Sequence, residues 1–178
     1  MRKVIAYLAC SLNGKIARKN GSVDWLHDMD KLGKVDYGFH DFYATVDTTI
    51  MGASTYRWIL DMGVEFPYKD KENFVFTRNN VFEDHPLVNI IDKDHLKLVE
   101  DLKHKEGKDI WLVGGGQLKT LFLNEGLLDE LCIHQMPVIL PDGIDVFENT
   151  PKENMASLIK SRSFENGAIE MVFRINKS

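Results

Sequence analysis

The chain reads as a single α/β domain of three layers, α/β/α, with helices on both sides of a mixed, mostly parallel sheet that an antiparallel hairpin closes at the C-terminal end. Three observations carry this. Short apolar runs of strand length alternate with segments whose apolar residues recur every three or four positions, such as Leu98, Val99 and Leu102; that alternation builds a parallel sheet. Residues 110–113 form an unbroken apolar run, as strands covered on both faces do. Asn166-Gly167 separates two strand-like segments, a strong two-residue hairpin signal. The 178 residues suffice for one full core, and no linker, repeat or low-complexity stretch divides them, so one domain is expected over 1–178.

Each element follows from local pattern. Residues 4–10 are the first core strand, and Asn13-Gly14 and Asn20-Gly21 mark turns around residues 15–19. A helix is expected over 37–44 and a strand over 48–51, ending at Gly52. Residues 54–60 read as a helix with Tyr56, Ile59 and Leu60 inward. Strands are expected over 73–76 and 87–91. Asp94 is placed to cap a helix that runs to Lys105 and stops at Gly107. The strand 110–113 follows, then a helix to about residue 124 with Leu118, Leu121 and Phe122 on one face. Residues 130–139 are the longest strand candidate, and 156–165 and 168–175 form the hairpin.

Composition narrows the function classes. The net charge is −5, and no basic cluster with interleaved aromatics is present, which argues against a nucleic-acid partner. A small phosphorylated ligand remains open. The two cysteines, Cys10 and Cys132, lie in apolar runs without metal or redox spacing, as buried free thiols in a reducing compartment would. No metal site is expected. The apolar run after Met1 is short and lacks a cleavage pattern, and no run is long enough to span a membrane. A cytoplasmic protein without a membrane partner is expected.

Ligands of open α/β sheets collect at the carboxyl ends of strands. Three such ends here suit phosphate. At Val113-Gly114-Gly115-Gly116-Gln117-Leu118 a strand turns through glycines into a helix, exposing backbone N–H groups beside a partly positive helix N-terminus. At Gly52-Ala53-Ser54-Thr55 a glycine leads to hydroxyls at a helix start, and at Thr77-Arg78 a hydroxyl and a guanidinium follow a strand. Each has a plainer account: a tight turn, a helix cap, a solvated arginine. Together they favour a ligand with several phosphates, such as a dinucleotide. The glycines fit neither the Rossmann fingerprint nor a P-loop.

In order along the chain, residues 9–17 (Ala-Cys-Ser-Leu-Asn-Gly-Lys-Ile-Ala), residues 47–56, Phe74-Val75-Phe76-Thr77-Arg78, residues 110–117 and residues 127–143 make this chain resemble the dihydrofolate reductase-like superfamily, closest to the C-terminal reductase domain of bacterial riboflavin biosynthesis. The resemblance implies a reductase that uses NADPH. The Gly114-Gly115 turn, often a cis peptide in this family, would lie against the cofactor pyrophosphate. Residues Gly52, Ala53, Ser54 and Thr55, with Thr77 and Arg78, would hold the phosphates and the 2′-phosphate that separates NADPH from NADH. Ala9, Asn13, Gly14 and Ile16 would line the nicotinamide, with Trp25 capping it or filling the core. Two departures stand out. Family members often carry arginine where this chain has Ala53, and the branch usually has aspartate where it has Asn13.

For catalysis, a gap-free count back from Gly52 puts Asp36 where folate reductases keep a buried acid; Asp41 is the alternate, and a helix cap is the plainer reading. His134 lies mid-strand where the resemblance puts a polar residue behind the substrate, to donate a proton or to serve as a core histidine. His40 replaces an aromatic that faces the substrate. Lys71 is the one basic residue near the folate-tail clamp and cannot fork like arginine. Lys15, Arg18 and Lys19 could face a ribose phosphate or only solvent. No deaminase motif is present. The expected activity is thus reduction of a small heterocyclic or sugar-linked pyrimidine at a CH–NH or sugar C=O or C=N group. A true dihydrofolate reductase, a nucleotide-binding protein without turnover and a structural protein with an empty turn are the alternatives. The resemblance also implies a homodimer, paired through the C-terminal hairpin or the strand 130–139.

Overall fold

A computed structural model of the chain describes residues 1–29, 35–79, 82, 83 and 85–177. Its main sheet has eight strands in the order β5-β4-β3-β6-β1-β7-β10-β9. These are β1 (Val4–Cys10), β3 (Val46–Gly52), β4 (Glu72–Phe76), β5 (Asn89–Ile91), β6 (Asp109–Gly114), β7 (Glu130–Gln135), β9 (Ala156–Ser163) and β10 (Ile169–Ile175). From β5 to β7 every pairing is parallel; β10 runs antiparallel to β7 and to β9. The α/β reading with a mixed sheet and an antiparallel C-terminal hairpin holds.

Strand parity explains the layers. In β1, Val4, Ala6, Leu8 and Cys10 point to one face and pack with Val99 and Leu102 of α4 (His95–His104) and with Phe122 and Leu123 of α5 (Gly116–Asn124). The alternate residue Tyr7 points to the other face, where its ring meets Phe39 and Phe42 of α2 (Phe39–Thr45). The same face carries α3 (Ala53–Asp61), whose Tyr56 and Ile59 pack with Met51 and Val75.

The departures have local causes. The helix expected from residue 37 starts at Phe39, because Tyr37 and Gly38 both have positive φ, 54° and 80°. Asp94 also has positive φ and makes no side-chain cap bond. The strand expected to reach residue 139 stops at Gln135; past it the Val138 N–H turns back to the Met136 carbonyl at 2.7 Å, around a proline that has no N–H for a ladder. The segment read as turns around 15–19 holds β2 (Lys15–Ala17), which pairs with β8 (Ile144–Asp145) in a separate two-stranded sheet. The loop that carries Trp25 contains a short helix, α1 (Asp24–Met29). Among the described residues no helix is long and apolar enough to cross a membrane.

Candidate active site

The strand order brings the key turns together. The chain travels outward through β3, β4 and β5, then returns as β6 between β3 and β1. The carboxyl ends of β3 and β6 are therefore neighbours, with Met51 beside Gly114. From these ends start α3, after N-cap Gly52, and α5, after N-cap Gly115; no side chain caps either helix. Two sets of unsatisfied N–H groups, each carrying the positive end of a helix dipole, thus lie side by side. A Cβ on Gly52 would sit 3.8 Å from the Gly114 carbonyl oxygen, and one on Gly114 would sit 3.2 Å from Thr55 Oγ1. The Gly114-Gly115 peptide is cis. Neither Ser54 nor Thr55 caps α3, and among the described residues their hydroxyls make no hydrogen bond. The donor set fits a pyrophosphate: backbone N–H groups, free hydroxyls and bare glycine surface.

The third glycine has another task. A Cβ on Gly116 would meet the Asp145 carbonyl oxygen at 2.5 Å and Glu148 Cγ at 2.7 Å. Gly116 lets the loop after β8 close over α5, where the Thr120 hydroxyl donates to the Glu148 carbonyl at 2.6 Å.

Gly52 pairs with Phe76, so Thr77 and Arg78 lie beside the α3 N-terminus. The Thr77 hydroxyl is taken up locally: it donates to the Asn79 carbonyl at 2.6 Å and accepts the Asn79 N–H at 3.2 Å. It shapes the turn that presents Arg78, which is exposed and makes no ion pair among the described residues.

On the β1 side, Ala9, one residue before the end of its strand, pairs with His134. Asn13 locks the following turn: its amide donates to the Leu140 carbonyl at 2.7 Å and its Oδ1 accepts the Leu140 N–H at 3.1 Å and the Ser11 hydroxyl at 2.8 Å. An aspartate could not donate that first bond. Gly14 needs its positive φ of 76°, and its carbonyl accepts the Val146 N–H. Ile16 packs on the edge of the main core, as does Leu118; Val113 packs on the α3 side, and Gln117 is exposed. Trp25 is buried against Met136, Leu140 and Ala168, and its indole N–H has no partner among the described residues.

The two expected catalytic residues part company. Asp36 is exposed, not buried, and its Oδ1 lies 2.6 Å from Nδ1 of His40, one turn later. Partial desolvation pushes its carboxyl up, but the His40 ring and N–H and the Gly38 N–H outweigh this and hold it below the usual range. The His40 side chain is 89 % exposed. His134, by contrast, is 1 % exposed. Its Nε2 lies 3.0 Å from the Tyr37 carbonyl and 3.2 Å from Glu170 Oε2, and rings of Tyr7 and Tyr37 flank it. Burial lowers its pKa against the pull of Glu170. His134, Cys132 and Glu170 offer ligand atoms within 4.8 Å of one another. Glu170 also pairs with Lys160 and Arg162, and burial pushes the Cys132 thiol up to about 12, which ties the trio into a buried polar network.

The basic candidates are committed as well. Lys71 lies 3.9 Å over the Tyr43 ring and donates to the Tyr43 carbonyl. Lys15, Arg18 and Lys19 pair with Asp145, Asp24 and Asp142. Sequence reasoning missed the Asp36–His40 pairing, although the i,i+4 spacing on a helix start was there to signal it. It also passed over Lys119, which is buried in the first turn of α5.

The eight-stranded mixed sheet with its antiparallel C-terminal hairpin is the dihydrofolate reductase-like fold, shared with solved relatives. Within that superfamily the chain belongs to the RibD C-terminal domain family, whose model matches residues 2–169. Two Bacillus subtilis relatives align over nearly their whole length. The uncharacterized protein YwjB is 37% identical over 92% of each chain. The uncharacterized protein YyaP is 33% identical over 98% of this chain and 96% of its own. Among solved structures, a putative riboflavin biosynthesis protein from Shewanella sp. PV-4 superposes with a TM-score of 0.85 at 28% identity, covering 98% of this chain and 99% of its own. A Thermotoga maritima diaminohydroxyphosphoribosylaminopyrimidine deaminase/5-amino-6-(5-phosphoribosylamino)uracil reductase shares the fold, with a TM-score of 0.72 at 18% identity. This chain covers 57% of it.

Proposed function

We propose that this protein is an NADPH-dependent reductase of a small heterocyclic or sugar-linked pyrimidine, acting at a CH–NH or sugar C=O or C=N group. The observation that carries the reading is the pair of uncapped helix N-termini at adjacent strand ends, with free hydroxyls between them. Two such dipole ends favour a diphosphate. The exposed Arg78 beside them suits a 2′-phosphate, which it can hold bidentately. The Thermotoga deaminase/reductase that shares this fold supports the chemistry.

When bound, the cofactor supplies the hydride. The chain has to align the reactants and manage one proton. Asp36 fixes the His40 ring through Nδ1 and leaves Nε2 open to solvent; in its protonated form the ring stays paired with the Asp36 carboxylate and can donate from Nε2, returning to the neutral Nδ1–H form. His134 holds the α2 entry turn through the Tyr37 carbonyl and acts on packing, not chemistry. A true dihydrofolate reductase is disfavoured: Asp36 is exposed and Lys71 is committed to Tyr43. The ribose-phosphate clamp read from Lys15, Arg18 and Lys19 is disfavoured likewise, since each has an acidic partner.

The homodimer belongs to the same proposal. Edge strand β9 is exposed along all eight residues and carries Leu158 and Ile159, an unpaired edge suited to a second copy. Titration of NADPH and NADH, followed by tryptophan quenching, tests the cofactor. NADPH preference that collapses in Arg78→Ala supports the reading, and equal or absent binding of both refutes it.

A further inference from the structure

Lys119 is the feature this reading does not absorb. It is the fourth residue of α5, on the sheet-facing stripe with Gly116, Phe122 and Leu123. Only 1 % of its surface is exposed. Among the described residues its ammonium has no hydrogen-bond acceptor and no carboxylate at ion-pair distance. Lysine is almost never buried unless paired, because desolvating an ammonium without a partner is costly. Helical side chains tilt toward the helix N-terminus. From the fourth position of α5 that tilt carries the Lys119 side chain toward the N-terminal end of the helix, along the stripe of Gly116 against which Glu148 lies.

We propose that Lys119 is the cation of the diphosphate site at the α5 N-terminus. The ligand class is a diphosphate ester, which on the reading above is the dinucleotide; the inference rests on that reading for the identity of the ligand, not for the charge. Among the described residues, Glu148, from the loop that closes over Gly116, is the one acid whose charge acts on Lys119. The strands under α5 present apolar side chains and the Cys10 thiol, which burial pushes up to about 11. Burial lowers Lys119 itself to about 8, so the free protein sheds this proton just above neutrality. A bound diphosphate replaces the missing partner and raises that pKa again. Binding then takes up a proton above pH 8, and affinity falls as pH rises through this value.

The test is calorimetric titration of NADPH between about pH 7.5 and about pH 9.5, in buffers of different ionisation enthalpy, and of inorganic pyrophosphate, which titrates itself over this range, at neutral pH only. The variants are Lys119→Met, which fills the same volume without charge, and Lys119→Arg, which keeps the charge through the whole range. The wild type should take up protons above pH 8. Lys119→Met should bind both ligands about tenfold more weakly at neutral pH with no such uptake, whereas Lys119→Arg should keep much of the affinity and lose the pH dependence. Equal affinity and unchanged proton uptake in Lys119→Met would overturn the proposal while leaving the cofactor reading standing. Lys119-dependent binding of pyrophosphate without binding of NADPH would uphold the charge site and remove the dinucleotide. Binding of neither by the wild type would overturn both.

Discussion

Gly116→Ala separates packing from propensity. On intrinsic preference alone the substitution is favourable, since alanine in a helix is better than glycine by about 1 kcal/mol. The surroundings oppose it. The new Cβ would sit 2.5 Å from the Asp145 carbonyl oxygen, 2.7 Å from Glu148 Cγ and 2.9 Å from Glu148 Oε2. Glu148 can swing away, but Asp145 presents backbone, held by pairing of β8 with β2. The loop must therefore shift. Overpacking of this kind costs about 1–3 kcal/mol, and loss of the Thr120–Glu148 hydrogen bond adds about 1 kcal/mol. After the propensity gain is subtracted, a net loss of about 2 kcal/mol remains. For a chain of this size that lowers Tm by about 4–8 °C. Urea unfolding and thermal melts of Gly116→Ala read it directly, with Gly116→Ala/Glu148→Ala as a control that removes the side-chain contacts but keeps the carbonyl contact. The double variant should remain destabilised. A Gly116→Ala protein as stable as the wild type, or more so, would show that the loop does not rest on this helix as described.

Two other outcomes are expected. Asp129 accepts the Val4 N–H and the ammonium groups of Lys103 and Lys177; burial pushes its carboxyl up, but these partners hold it below the ordinary 3.8. Its contribution is therefore complete above that value and is lost as pH falls through the lower folded pKa. Asp129→Asn should cost about 3 kcal/mol at neutral pH, because Lys103 stays buried without its partner, and the gap from wild type should narrow in acid; urea melts at the two pH values check this. In the reductase assay, His40→Phe should lower kcat by about a hundredfold. His134→Phe should change turnover little and stability more, and the reverse ranking would move the proton chemistry to the buried network.

The sequence made the periodic parts of this fold legible. Residues 4–10 form β1 with the expected bounds, and a hairpin does turn at Asn166-Gly167, because these signals are local; the turn is longer than the expected two residues, spanning 164–168 with positive φ at Gly167 but not at Asn166. The glycine turn was legible for the same reason. What escaped depends on partners distant in sequence. Nothing near Gly116 announces that Asp145 and Glu148 will lie against it, some thirty residues later. The β2–β8 sheet has strands of three and two residues, too short to show a period. Asp36 could be named as a candidate only by counting from Gly52, and it lies exposed just before Tyr37 and Gly38, whose positive φ delays the helix. Lys119 sits at an apolar position of a helix pattern, and only tertiary burial makes it unusual.

The two margins of the main sheet differ in length. At one side β5 offers three residues, and at the other β9 offers eight. In the proposed homodimer, only the long margin is long enough to template another strand. Two copies joined along it by a twofold axis would use up both long margins and leave the short ones outermost. Growth would then end at a pair, so the same asymmetry that would admit a partner would also cap the sheet against extension into a fibre.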